Sequence, residues 1–350
     1  MLATGTKATA APATDPQDAE VGLLWKQIAG PLEPFLETVT DRLAEQVRAF
    51  DPELIGLAEY TLQGQGKRLR PCLVGLVGQA LGKITDDHVK VAVIIEMVHL
   101  ATLVHDDVMD EAALRRGRRT VAAQWGNETA VLFGDCLFAQ ALRWAASFPT
   151  PEVCRAVAHA TQVVCTGEIL QTRYRRNFPL SYEHYDRILA MKTGELFALA
   201  CDLGAWSSGA DSSMREVFRR FGLGFGTAYQ LYDDCLDLIG EERFAGKSLG
   251  TDLAKGKLTL PVLLAWYRAD LRDRARLESW ISQWDPSLLP RLRELLERYQ
   301  AIPAALAKFH EYLERACYEL HQLPSSLATR GLVAATEYLA RQTVHLTGRV

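Results

Sequence analysis

No two cysteines in this chain are spaced as CxxC, and the seven present (Cys72, Cys136, Cys154, Cys165, Cys201, Cys235 and Cys317) are odd in number and scattered. Spacing therefore offers neither a zinc cage nor a disulfide framework, and a reducing, cytoplasmic setting is expected. A basic excess is lacking as well. Lys and Arg number 39 against 43 Asp and Glu, a formal charge of -4, so the overall balance does not attract a nucleic acid. No clean apolar run reaches the ~18 residues of a membrane span. The most apolar stretch, Val89 to His105, is interrupted by Lys90, Glu96 and His99 and reads as a buried helix. Residues 1–20, rich in Ala, Thr and Pro, have neither an apolar h-region nor an Arg-rich amphipathic pattern. They read as a disordered tail ahead of one domain over 21–350.

Proline is absent between Pro71 and Pro149 and again between Pro179 and Pro261, which leaves room for long helices. Period-two alternation is scarce and Ala, Leu, Glu, Arg and Gln dominate, so the expected fold is all-α, a single large helical bundle. Loops are marked by GQGKR, FPTPE, NFPLS, WSSGADSS and WDPSLLP. Beyond Pro286 the amphipathic hairpins carry no chemical motif and read as scaffold.

Charge is present where it is clustered. HDDVMDEAALRRG places Asp106, Asp107 and Asp110 at the end of the apolar helix, with Asp106 and Asp110 on one face. Like charges at that spacing repel, and an oxygen-only donor set answers best to Mg²⁺ or a similar hard cation. A lone cluster of this kind is as well explained by a solvated helix end. A second copy, QLYDDCLDLIG, repeats the spacing 127 residues later with Asp233, Asp234 and Asp237. Magnesium prefers one or two carboxylates together with waters and phosphate oxygens, so two facing clusters suit a metal-bridged diphosphate.

Three basic groups accompany the acids. Arg115 and Arg116 follow the first cluster within one or two helical turns. Lys67, Arg68 and Arg70 lie on a Gly-loosened loop running into a helix, and Lys247, Lys255 and Lys257 follow the second cluster. Solvation or pairing with Glu111 would explain any one of them. Together they provide anion sites through metals and through direct cations, which points to two diphosphate substrates. Glu96 and His99 form an ExxH pair without a second copy, so a di-iron site is not indicated. His99 is either a core histidine or an anion contact. Lys192 and Thr193 lie within an apolar helical run, where a buried Lys needs an anion or carboxylate, and Gln230 shares a helix face with Asp233.

The ordered segments GKRLRP, LVHDDVMDEAALRRG, GNETAVLFGD, GEILQ, MKTGELF, YQLYDDCLD and GKSLGTDLAKGKLTLP resemble those of the trans-isoprenyl diphosphate synthases of the polyprenyl synthetase family. The resemblance is strong from Gly64 to Pro261. It implies a helical bundle around a central cavity, normally homodimeric, with the two acidic motifs facing each other and three Mg²⁺ ions between. Carried over, Asp106, Asp110 and the supporting Asp107 would bind metal from one wall, and Asp233 with Asp237 behind it from the other. Lys67, Arg70, His99 and Arg116 would hold isopentenyl diphosphate. Arg115, Lys192, Lys247 and Lys257 would hold the allylic prenyl diphosphate, with Thr193 and Gln230 beside the developing carbocation. The implied chemistry is head-to-tail, all-trans condensation, with no dedicated protein base.

Departures from the family pattern are small: Gly64-Gln65-Gly66 before the basic loop, Cys235 for an aliphatic residue, and KTG for KTA. Positions four and five residues upstream of Asp106 are Thr102 and Ala101, neither aromatic, with Val98 and Met97 one turn further. From Ala101 back to Val89 the helix gives roughly 18 Å of largely apolar wall. The segment resembles the long-chain class making octaprenyl or nonaprenyl tails for quinones, with Trp144 or Phe148 on the following helix as candidate floor. A geranylgeranyl or farnesyl diphosphate synthase is the alternative. A class I terpene cyclase fits less well, because such enzymes usually lack a second motif like DDCLD. No nucleic acid and no membrane span are expected, although product could be handed to a membrane surface peripherally.

Overall fold

The computed structural model describes residues 16–63, 66–240 and 249–347. Residues 1–15 of the expected tail lie outside that range, and from Pro16 the chain is helical, so α1 (Pro16–Ala29) begins inside the segment read as tail. It is followed by α2 (Glu33–Arg48), α3 (Ile55–Leu62), α4 (Leu69–Ala80) and α5 (Asp86–Met109). A short hairpin, β1 (Leu114–Arg115) and β2 (Arg118–Arg119), precedes α6 (Val121–Trp125), α7 (Asn127–Ala145) and α8 (Glu152–Arg173). Next come α9 (Tyr182–Leu189), α10 (Glu195–Ser207) and α11 (Ser212–Ile239). The C-terminal part holds α12 (Thr251–Ala254), α13 (Leu260–Arg268), α14 (Leu271–Ser282), α15 (Leu289–Arg298), α16 (Ala301–Leu320) and α17 (Arg330–Gln342).

The two longest helices among the described residues, α5 with 24 residues and α11 with 28, occupy the proline-free stretches. Both start on a side-chain cap that satisfies otherwise orphaned groups. At α5, Thr85 N–H donates to His88 Nδ1 at 3.1 Å, and at α11, Asp211 accepts from the Met214 N–H at 2.8 Å. Helix α10 packs against both α5 and α11, and α11 packs in turn against α16. The centre is aromatic: Phe218, Phe221 and Phe225 of α11 are fully buried with Phe197 of α10, whose ring centroid lies 5.6 Å from that of Phe225.

Two local features depart from regular helix. Arg115 and Arg116 are not helical: α5 stops at Met109, Glu111 turns left-handed (φ 47°), and the chain enters the antiparallel hairpin. Its two-residue turn, Arg116-Gly117, has positive φ at both positions (51° and 74°), the mirror-image turn that suits strand twist. Between α9 and α10, residues Ala190–Gly194 form a π-helical turn, closed by the Glu195 N–H on the Ala190 carbonyl. Single π turns inside helices occur often at functional sites, and this one holds Lys192 and Thr193.

Candidate active site

The end of α5 presents the first acidic cluster. Asp107 is buried and its Oδ1 accepts from both Nε and Nη2 of Arg115, each at 2.8 Å. Asp110, the residue after α5's last turn, takes Lys257 Nζ on Oδ2 at 2.7 Å. Burial pushes the Asp110 carboxyl up, but Lys257, Lys192 and Arg175 together outweigh it and hold it below the usual carboxylate value. Asp106 behaves differently. Buried, and only partly answered by Lys192, its carboxyl is pushed up to about 6. Glu168 of α8 adds to that rise, so two carboxylates share the space with one ammonium.

That ammonium is Lys192. Its Nζ pairs with Glu168 and donates to Gln171 Oε1 at 2.8 Å. Burial lowers its affinity for the proton, yet Asp106 and Glu168 outweigh burial and keep it above its ordinary value. The π turn approaches α8 this closely because Gly167 has no side chain: a Cβ there would lie 2.7 Å from the Lys192 backbone N. On its other side the turn meets α11 at Gly194, where a Cβ would come within 2.8 Å of Thr227 Oγ1.

From α11 a buried hydrogen-bonded chain reaches back to the turn. Tyr185 OH donates to Asp234 Oδ2 at 2.5 Å, Gln230 Nε2 donates to Asp234 Oδ1 at 2.9 Å, and Thr193 Oγ1 donates to Gln230 Oε1 at 2.7 Å. Burial and the neighbouring Asp252 push the Asp234 carboxyl up to about 7 despite two donors. Asp252 also lies within the field that raises Lys192, so Lys192 bridges the first cluster to the second electrostatically. Asp237, expected among the metal ligands, is held by the chain that follows α11. Its Oδ1 accepts from the Thr251 hydroxyl at 2.9 Å and the Thr251 N–H at 3.3 Å, and its Oδ2 from the Asp252 N–H at 3.2 Å. It ties the turn that carries Asp252 to the end of α11.

The second anion pocket is assembled from two distant segments. The Arg116 guanidinium packs on Gly66, where a Cβ would lie 2.6 Å from Nη2, so the hairpin tip closes on the loop leading into α4. Arg70 stacks over the Phe197 ring at 4.3 Å, and its Nε is buried without a hydrogen bond. Burial together with Arg70, Arg115 and Arg116 drives His99 well below its ordinary value, so it is a neutral imidazole at pH 7. Glu96, buried beside Arg70, is raised by that burial, and Arg70 offsets part of the rise. Lys67 leans outward: its Nζ lies 5.0 Å from the Tyr338 ring centroid and 3.4 Å from Gln342 Oε1. The C-terminal helix α17 thus contributes to the basic loop and is more than scaffold. Arg68, left-handed at the α4 N-cap, is structural, donating to the Leu36 carbonyl at 2.9 Å and Thr40 Oγ1 at 2.5 Å. Lys247 lies outside the described residues.

Along α5, Val98 and Ala101 are buried in the wall, and Thr102 Oγ1 is turned onto the His99 carbonyl at 2.7 Å. Trp144 is half-buried on α7. Phe148 is not on that helix but in the turn after it. It sits edge-on to Trp206 at 5.4 Å and 5.7 Å from Lys90 Nζ, roughly 24 Å along α5 from Asp106. Sequence reading assigned no role to Glu168, Gln171, Tyr185 or Asp252. The first two stand in the GEILQ segment and Asp252 in GTDLAKGK, so their signal was positional, while Tyr185 has none.

Among the described residues no three carboxylate, Cys or His side chains converge on a single point. The oxygen donors nonetheless fit Mg²⁺, which takes few protein ligands and completes its shell with water and phosphate. Asp110 Oδ1 is buried without a hydrogen bond, as expected of an oxygen awaiting a cation. A helical bundle with two aspartate clusters linked through a half-buried lysine, and a second pocket of arginines, suits an enzyme that acts on diphosphate substrates. Residues 51–298 match the polyprenyl synthetase family, and the chain belongs to that family of Mg²⁺-using trans-prenyltransferases. It is 35% identical to heptaprenyl diphosphate synthase component 2 of Bacillus subtilis over 308 residues, 88% of each chain. It is 30% identical to the octaprenyl diphosphate synthase of Haemophilus influenzae, over 86% of this chain and 92% of that one. The crystal structure of a polyprenyl synthase from Caulobacter crescentus, complexed with calcium and isoprenyl diphosphate, superposes with a TM-score of 0.84 at 33% identity, covering 92% of this chain and 97% of that one. No helix among the described residues is long and apolar enough to cross a membrane.

Proposed function

We propose that this prenyltransferase extends an allylic prenyl diphosphate with isopentenyl diphosphate to a long-chain, all-trans polyprenyl diphosphate that serves as a quinone side chain. The observation that carries the length reading is on α5, where the buried side chains at 98 and 101, in the turns before Asp106, are Val and Ala rather than aromatic rings. Octaprenyl and heptaprenyl synthases among the relatives support it.

In this reading Asp106, Asp107 and Asp110 on one side and Asp233 on the other hold three Mg²⁺ ions, with Asp237 keeping the second group in place. Bound Mg²⁺ supplies charge neutralisation of the allylic diphosphate as its C–O bond breaks. Arg115, Lys192, Lys247 and Lys257 orient that diphosphate. Arg115, Lys192 and Lys257 are paired with Asp107, Glu168 and Asp110, so diphosphate binding would exchange carboxylate partners for phosphate oxygens. Lys67, Arg70, neutral His99 and Arg116 hold isopentenyl diphosphate. Thr193 and Gln230 present fixed dipoles beside the allylic carbon as positive charge develops. The new C–C bond forms from the isopentenyl double bond, and the proton lost afterwards goes to the departing diphosphate, since no free protein base is needed.

A homodimer in the cytoplasm is part of the same reading. Leu132 of α7 and Ile169 of α8 stand 65% and 66% exposed, apolar surface that a second copy would cover. The match to a synthase component also leaves room for a separate small subunit. The test is a product-length assay: purified chain, Mg²⁺, labelled isopentenyl diphosphate and farnesyl diphosphate, with dephosphorylated products sized by chromatography. Octaprenyl or longer products are expected. Geranylgeranyl product alone would keep the reaction and refute the length, and no incorporation by the isolated chain would indicate a missing subunit.

A further inference from the structure

Arg175 belongs to no motif, yet the fold delivers it to the first acidic cluster. It lies just past the end of α8, in a turn where Arg176 is left-handed (φ 58°). The Arg176 N–H donates to the Gly256 carbonyl at 2.8 Å, and a Cβ on Gly256 would come within 2.8 Å of Arg176 Cγ. This clasp fixes the turn against the loop carrying Lys257. Asp110 therefore faces two cations from separate parts of the chain, Lys257 on Oδ2 and Arg175 beside Oδ1.

The two contacts differ in kind. Lys257 makes a short charge-assisted bond at 2.7 Å, whereas Arg175 Nη2 stands 3.5 Å from Oδ1, beyond the ~2.9 Å of such bonds. Asp110 Oδ1 and Arg175 Nε are both buried without a hydrogen bond. A buried donor and a buried acceptor that each lack a hydrogen bond are both unfavourable. The approach of Nη2 to Oδ1 at 3.5 Å does not make up for either. A ligand that brings a cation to the carboxylate and phosphate oxygens to the guanidinium satisfies both at once, and the planar fork of Arg matches two such oxygens.

We propose that Arg175 is a further diphosphate-binding residue, contacting the allylic diphosphate when Asp110 turns to its metal. The inference rests on the prenyl-transfer reading above and adds a residue to it. The test is calorimetric titration of inorganic diphosphate, at saturating Mg²⁺, into the full chain and into Arg175→Gln and Arg175→Lys, alongside KM for both substrates. Arg175→Gln should weaken diphosphate binding about ten-fold or more and raise KM for farnesyl diphosphate in step. KM for isopentenyl diphosphate should stay unchanged, and Arg175→Lys should recover part of the affinity. Unchanged diphosphate affinity in Arg175→Gln would overturn the assignment. So would a variant whose Mg²⁺ half-saturation shifts while its diphosphate affinity at saturating Mg²⁺ does not, because Arg175 would then only hold Asp110. Absence of turnover by the unaltered chain counts against the underlying reading, whereas normal turnover with either overturning result counts against Arg175 alone.

Discussion

Single side chains in this site are positioned by other side chains, and Tyr185 shows how far that extends. Its hydroxyl fixes one oxygen of Asp234, whose other oxygen orients the Gln230 amide, which in turn accepts from Thr193. Tyr185→Phe should therefore lower kcat on the order of ten-fold with KM for both substrates nearly unchanged, since no substrate contact is lost; the stability loss should be about 1–3 kcal/mol. Steady-state kinetics with a urea melt would check both. Asp106 carries a pH signature. Its carboxyl, raised to about 6 by burial, binds a proton more readily in the folded chain than in the unfolded one. Its contribution to stability is thus full below the ordinary carboxylate value and is lost as pH rises through about 6. Asp106→Asn should melt about a few degrees above the parent at pH 7, the gap closing as pH falls toward 4. It should also lower turnover roughly 100-fold or more. Thermal melts of metal-free protein across that range would test the sign.

At the scale of elements, the decisive contacts are close approaches. Gly167 lets α8 touch the π turn, so Gly167→Ala should push against the Lys192 backbone, with a stability loss of about 1–3 kcal/mol and lower activity, read by melting and turnover. On α5, Ala101→Phe should shorten the product, and an unchanged profile by chromatography would remove the wall from the length argument. The long helices were legible because proline-free stretches of apolar sequence leave few other outcomes, and the two aspartate clusters were legible because their spacing repeats. Less could be read where structure is short or cooperative. The hairpin has two residues per strand, too few for an alternating pattern, so Arg115 and Arg116 looked like a helical continuation. The π turn changes one hydrogen-bond register and leaves no mark in composition. Asp237 has the spacing of a metal ligand, and only the fold of residues 249–252 onto it reveals that backbone and hydroxyl donors occupy both its oxygens.

For the whole molecule, the anion pockets are products of assembly. Residues 66–70, the hairpin tip and α10 meet only in the folded bundle, and the homodimer proposed above would extend the same logic to a second chain through Leu132 and Ile169. On that proposal the parent should sediment as a dimer and Leu132→Glu as a monomer, and a coefficient unchanged by the substitution would remove this face from the interface. The π turn has a consequence for how the molecule divides its residues between holding together and reacting. Helices α9 and α10 are one rod interrupted by a surplus residue. Excising that residue, as in a Met191 deletion, would let the rod close into uninterrupted α-helix with its flanking faces still in phase, because the wide turn is what absorbs the extra residue. Lys192 and Thr193 would then lose the wide turn that brings them against Gly167 and Gln230. The shortened chain should hold a more regular rod and turn over more slowly, so that in this one turn regularity of the helix and placement of the reacting side chains pull in opposite directions.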